Sequence, residues 1–169
     1  MKRQITHESL ELIRHFEGFY PKPYLDPVGI PTIGIGTIAY PDGQKVKLTD
    51  PPITEEKAYE YLMFEISDKA DQVHNFLTKS SVLLSDQQYS ALVSFAYNCG
   101  CGPILDSGRS MHEAIKSDNI MKIADCFLIY NKATKKFGPF KRTVELAGLT
   151  RRRKAERHLF LNGFNRFYF

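Results

Sequence analysis

The stretch "SDQQYSALVSFAYNCG", residues 85–100, sets the strongest constraint on how this chain folds. Ser85 followed three positions later by Gln88 has the form of a capping box, so a helix opens here. The residues that follow are apolar nearly all round, and a helix without a polar face has to be wrapped by other elements. It reads as the central helix of a helical lobe. A chain of 169 residues is long enough to supply the wrapping.

The surrounding pattern supplies it. Residues 6–17 form a short amphipathic helix, with Thr6 as N-cap, Glu8 in the first turn and Gly18 as the stop. Leu10, Ile13 and Glu17 share one face, with Leu12 and Phe16 beside them, so Glu17 is a carboxylate on the apolar side. Thr54 caps a long helix whose stripe is Tyr59, Leu62, Met63, Ile66, Ala70, Val73 and Leu77. Shorter helices cover 109–116 and 120–130, the stretch "NKATKKFGPFKRTVELAG" is broken by Gly and Pro, and 150–161 closes as a helix stopped by Gly163.

Residues 23–48 have a different character and read as a small antiparallel sheet. Asp26-Pro27-Val28-Gly29 fits a type I turn. The alternation in "TIGIGT" puts Thr32, Gly34 and Gly36 on one side and Ile33 and Ile35 on the other. A second turn at Pro41-Asp42-Gly43 leads into "QKVKL". The expected fold class is α+β: a sheet lobe at about 18–53, a linking helix at about 54–77, and a helical lobe at about 78–169 that includes the N-terminal helix, all within one domain over 1–169.

Composition narrows the function. No apolar run is long enough to cross a bilayer, and charges at Glu8, Glu11 and Arg14 interrupt the N-terminus, so a cytoplasmic protein without a visible export signal is expected. Cys99, Cys101 and Cys126 are an odd, sparse set, which fits reduced thiols. The charge is lopsided: Lys and Arg against Asp and Glu number 12 against 17 over residues 1–131 and 11 against 2 over 132–169. The basic C-terminal part points to a polyanionic partner, whether nucleic acid, an anionic cell envelope or a membrane surface, or else to a solvated helix face. No zinc spacing, HExxH, nucleophile elbow or dinucleotide loop is present, so no metal or organic cofactor is implied.

Two carboxylates remain. Glu17 closes a helix beside apolar neighbours, where the helix dipole and desolvation both oppose a charge, as a general acid requires. Asp26 at a turn suits an ionised partner, and Thr32 could hold a water above the side-chain-free Gly34 and Gly36. By spacing alone the same residues are equally a surface Glu at a helix end and an ordinary turn former.

The segment "EGFYPKPYLDPVGIPTIGIGT" resembles the catalytic stretch of the phage-type lysozymes, glycoside hydrolase family 24, which includes phage endolysins. Their pattern of Glu, eight residues, Asp, five residues, Thr, then T-I-G-x-G is matched by Glu17, Asp26 and Thr32. "ALVSFAYNCG" and "GLTRRRKAERHLFLNG" are similar to the family's helical-lobe segments.

The resemblance implies an endolysin muramidase that cleaves the β-1,4 bond between N-acetylmuramic acid and N-acetylglucosamine in peptidoglycan by an inverting mechanism. Glu17 would be the acid, Asp26 and Thr32 would act on the water, and Ile38, Tyr97 and Asn98 would contact saccharide. It further implies a monomer that waits in the host cytoplasm for a holin and binds no nucleic acid. Separately, the basic C-terminal charge and the aromatic ending "LNGFNRFYF" suggest either a hold on the anionic envelope or packing of Phe164, Phe167, Tyr168 and Phe169 onto the helical lobe. A tail- or secretion-delivered lysozyme and a basic binding module without catalysis are the alternatives. The chain departs from the family in having Thr37 where a His is usual, and in having no Trp.

Overall fold

The structure, a computed structural model, describes residues 3–26, 29–137 and 140–163. Helix α1 (His7–Glu17) is followed by strands β1 (Tyr20–Leu25) and β2 (Pro31–Gly34), then by the long helix α2 (Glu55–Lys79). The helical lobe continues through α3 (Asp86–Cys99), α4 (Gly102–Leu105), α5 (Ser110–Lys116) and α6 (Ile120–Leu128). A second hairpin, β3 (Lys132–Phe137) and β4 (Phe140–Glu145), precedes the closing helix α7 (Ala147–Asn162).

Helix α3 is the centre of the molecule, as its sequence requires. Ser85 and Gln88 close the capping box, and Tyr89 to Ala96 are all buried without interruption. Helices α1, α2, α4 and α7 pack around it. Aromatic edges fill the far side: Phe95 meets Phe127 at 5.5 Å and Tyr130 at 5.1 Å between ring centroids. The polar atoms are spent locally. Tyr89 donates to Ala70 O at 2.9 Å, and Ser9 on α1 donates to Ser90 O at 2.8 Å. The N-terminus of α1 differs slightly from expectation: Thr6 is the N-cap by position, but its hydroxyl does not cap the helix.

The 25 residues of α2 span roughly 37 Å at 1.5 Å per residue. Thr54 Oγ1 accepts from Lys57 N at 3.2 Å, and the helix packs against β2 at one end and α3 and α4 beyond it. Its buried stripe runs Ala58, Leu62, Ile66, Ala70, Val73 and Leu77. Met63, expected within that stripe, lies off it and is 41% exposed.

Two sequence readings are corrected here. "TIGIGT" is not one continuous strand. Gly34 and Gly36 adopt φ of 66° and 81°, a left-handed region open to glycine, and the chain reverses between them. Ile33 and Thr37 then pair with each other, Ile33 N to Thr37 O at 2.9 Å and Thr37 N to Ile33 O at 3.0 Å. Gly34 consequently faces α2, where an added Cβ would lie 3.0 Å from Ala58 Cβ and 3.1 Å from Ile53 Cδ1, while only Gly36 faces the cleft.

The second correction concerns the stretch expected to be broken by Gly and Pro: Lys132–Phe137 and Phe140–Glu145 pair as antiparallel strands in full register from Lys132↔Glu145 to Phe137↔Phe140, and residues 138–139 lie outside the described residues. Leu146 N donates to Asn131 O at 3.0 Å and closes the hairpin's base. The expected turn at Tyr40–Gln44 is present, with Gly43 N on Tyr40 O at 2.9 Å and Asp42 Oδ1 accepting from Gln44 N at 2.9 Å. The three cysteines are free, and burial pushes each thiol above its usual range.

Candidate active site

Glu17 is the last residue of α1, and Gly18 turns the chain away with φ 77° while its N–H returns to Arg14 O at 2.8 Å. The Glu17 side chain keeps 27% of its surface exposed and accepts from Arg152 Nη1 on α7 at 2.5 Å. Arg152 is buried to 5% and also reaches Glu156 Oε1 through Nε at 3.3 Å, with its guanidinium 5.7 Å from the Phe16 ring centroid.

This contact corrects the reading of the "RRRK" run as a solvated face for two of its four cations. Arg152, Arg153 and Glu156 are buried, whereas Arg151 and Lys154 are exposed. The buried three stand with Ala155, Leu159 and Phe160 on the inner side of α7, a charge cluster set into an apolar stripe. Glu17 is the same anomaly on α1, and the two anomalies meet. The signal was in the sequence: Arg152, Glu156 and Leu159 repeat at helical spacing.

Gly36 forms the floor beside Glu17. A Cβ there would lie 3.2 Å from Tyr97 Oη and 3.8 Å from Glu17 Oε2, so the space is kept open by the missing side chain. Tyr24 ties the first carboxylate to the second. Its phenol is pushed above its usual range, first by burial and then by the charges of Tyr20, Glu17 and Asp26, so both carboxylates bear on one ring. Tyr20 stacks on Tyr24 at 4.3 Å. Tyr24 also stands opposite Thr32 in the sheet.

Asp26 is half-buried rather than exposed. Its N–H donates to Ile30 O at 3.0 Å, and its Oδ1 accepts from Ile30 N at 2.8 Å. Gly29 N on Asp26 O at 3.0 Å closes the turn, whose Pro27 and Val28 lie outside the described residues. Thr32 is 3% exposed and its hydroxyl donates to Ile30 O at 3.0 Å, which leaves the oxygen as an acceptor.

The expected saccharide contacts divide. Tyr97 joins the Glu17 group directly through Gly36. Asn98 is exposed, and Arg153 Nη2 holds its Oδ1 at 2.8 Å, so the amide is oriented from the buried charge cluster. Ile38 is 48% exposed and bonded through its carbonyl to Val46 N, and it is the least tied to the others.

Glu65 on α2 was not anticipated. It is half-buried, with Oε2 3.4 Å from Tyr97 Oη. Burial pushes its carboxyl above the usual range, while Thr37, Tyr97 and Lys69 oppose that shift. Thr37 thus faces a carboxylate from the position where the related pattern carries His.

The sequence pattern of the phage lysozyme family matches residues 14–156 of this chain. The endolysin of Bacillus phage B103 is 33% identical over 159 residues, which are 94% of this chain and 54% of that protein, so the chain spans about half of that relative. The endolysin of Salmonella phage P22 is 31% identical over 94% of this chain and 99% of its own. Among solved structures, an endolysin from Escherichia coli O157:H7 phage FAHEc1 superposes with a TM-score of 0.81 at 31% identity, covering 97% of both chains.

Proposed function

This chain belongs to the phage lysozyme family, and on that premise we propose that it is an endolysin muramidase hydrolysing the β-1,4 bond between N-acetylmuramic acid and N-acetylglucosamine of peptidoglycan. The observation that carries the reading is Glu17 held by Arg152 at the open floor of Gly36. Glu17 gives its proton to the glycosidic oxygen as the bond to C1 breaks. Asp26 takes a proton from the attacking water, which Thr32 helps to place, and the hydroxide adds to C1 from the opposite face. Arg152 then faces the carboxylate left on Glu17 and stabilises it. Tyr97, Asn98 and Ile38 line the saccharide path.

Inverting sites keep their carboxyl groups roughly 6.5–9.5 Å apart to admit water, against about 5–5.5 Å in retaining sites. NMR of the first product is therefore expected to show the α-anomer, with reducing-end muramic acid in the digest. A β-anomer overturns the inverting scheme, and 1,6-anhydro ends would make the protein a lytic transglycosylase.

We place the protein in the host cytoplasm until a holin opens the inner membrane, acting as one monomeric catalytic domain. Among the described residues, no helix is long and apolar enough to cross a membrane. For the anionic envelope, Arg152 and Arg153 are used internally and Arg157 meets Asp125 at 2.8 Å, which leaves the exposed Arg151 and Lys154 of α7 and the cations that the sequence places in the β3–β4 hairpin. In the backbone register of that hairpin Lys135 pairs with Arg142 and Lys136 with Lys141, four cations within two short strands. The aromatic ending expected to assist, residues 164–169, lies outside the described residues. Replacing the four cations by Gln is expected to abolish salt-sensitive binding to whole envelopes with Tm unchanged. Undiminished binding would sink the attachment.

A further inference from the structure

The scheme above uses Glu17 and Asp26 and leaves Glu65 without a task. Glu65 lies midway along α2, half-buried, and meets a group from each element around it. From α3 comes Tyr97, whose Oη is 3.4 Å from Glu65 Oε2 and 3.3 Å from Ile35 O. From the turn comes Thr37, fully buried, whose hydroxyl has no hydrogen-bond partner among the described residues yet favours the charged form of Glu65. From α2 itself comes Lys69, with Nζ 5.8 Å from the Tyr97 ring centroid. From α1 comes the charge of Glu17, which pushes Glu65 up, and from α7 the charge of Arg152, which acts on Tyr97.

A phenol has one proton, so Glu65 and the Ile35 carbonyl compete for it. Burial, Glu65 and Glu17 hold the Tyr97 phenol far above its usual range, so it remains a neutral donor throughout the working pH. Ionised Glu65 is the stronger acceptor, because a charge-assisted hydrogen bond is roughly twice as strong as a neutral one. Once protonated, Glu65 loses that advantage and the carbonyl wins. The choice matters because Tyr97 Oη also walls the Gly36 floor, whose Cβ position is 3.2 Å from it and 3.8 Å from Glu17 Oε2.

We propose that Glu65 is a positioning residue of the muramidase site: it sets Tyr97 against the Gly36 floor beside Glu17, and its protonation releases Tyr97 to the Ile35 carbonyl. This rests on the muramidase reading. The two residues form one unit, so their effects on turnover are not independent.

The test measures kcat and KM on soluble peptidoglycan fragments from about pH 4 to about pH 8. The proteins are the parent, Glu65→Gln, Tyr97→Phe and the double variant, each checked for folding by near-UV circular dichroism. Each single change is expected to lower kcat about tenfold with KM within about twofold. The double variant should be no worse than the poorer single. The parent should lose activity through a weakly acidic limb, above the ordinary carboxylate range, that Glu65→Gln and Tyr97→Phe both lack. Losses that multiply to about a hundredfold in the double variant would overturn the proposal, as would a Glu65→Gln profile with the parent's limb. Should Glu65→Gln not fold, Tyr97→Phe carries the pH comparison alone. A folded parent that releases no reducing ends overturns the muramidase reading, and the proposal with it, which is a different result from either.

Discussion

Glu17→Gln is expected to lower the rate of wall cleavage by about 10²–10⁴-fold, the usual worth of a positioned general acid. The amide has the shape of the carboxyl, and its carbonyl oxygen can still accept from Arg152 Nη1, which sits 2.5 Å from Glu17 Oε1 in the parent. Gly36 still leaves the floor open. What the amide lacks is a proton that can pass to the leaving oxygen. The loss should fall on kcat with little change in substrate affinity, because the interaction removed is made only as the bond breaks. The Glu17 side chain is partly exposed, and Arg152 keeps Glu156 as a partner, so Tm should stay within a few degrees of the parent. A folded variant that clears walls near the parent rate would remove Glu17 from the mechanism.

The helix end at Glu17, the turn at Asp26 and the strand at Thr32 were legible because their information is local. The same holds for α3, whose apolar run and capping box leave little choice, and for the Thr54 cap of α2. Arg152 was not legible in that way. It lies 135 positions from Glu17, and a run of four cations reads as solvent-facing unless its place on the inner face of α7 is weighed first. Glu65 was missed for a related reason, since it stands outside the apolar stripe of α2 and its role depends on Tyr97, 32 positions away.

The errors in the strands have a backbone origin. Alternation in "TIGIGT" is a side-chain rule, and two glycines with positive φ void it by reversing the chain inside the pattern. Gly-Pro in "KKFGPFK" suggests punctuation between elements, whereas the residues on its two sides pair as strands of one hairpin. The polar runs on the two sides carry no strict alternation to mark them as strands, yet they pair over six register positions.

Glu156→Ala is expected to cost about 3–5 kcal/mol, the range for breaking a buried ion pair from one side. At this chain length that lowers Tm by roughly 10 °C. Glu156 is fully buried between two guanidiniums. Its Oε1 accepts from Ser94 Oγ at 3.0 Å, Arg153 Nη2 at 3.1 Å and Arg152 Nε at 3.3 Å, and its Oε2 lies 3.0 Å from Arg153 Nε in an ion contact off the hydrogen-bond line. Burial alone pushes the carboxyl up, and the two cations and Ser94 pull against it. Alanine leaves both cations in place without their shared anion, and Arg153, which is fully buried, then keeps only neutral partners such as Asn98 against its desolvation cost. Replacing Arg153 by Met together with Glu156 by Leu should cost less than Glu156→Ala, because that pair of changes removes the charge along with its partner. The damage should also reach the site, since Arg153 orients Asn98 and Arg152 holds Glu17. Thermal unfolding of the three proteins decides the matter: if Glu156→Ala unfolds within about 1 kcal/mol of the parent, the cluster does not carry the burden that its burial implies.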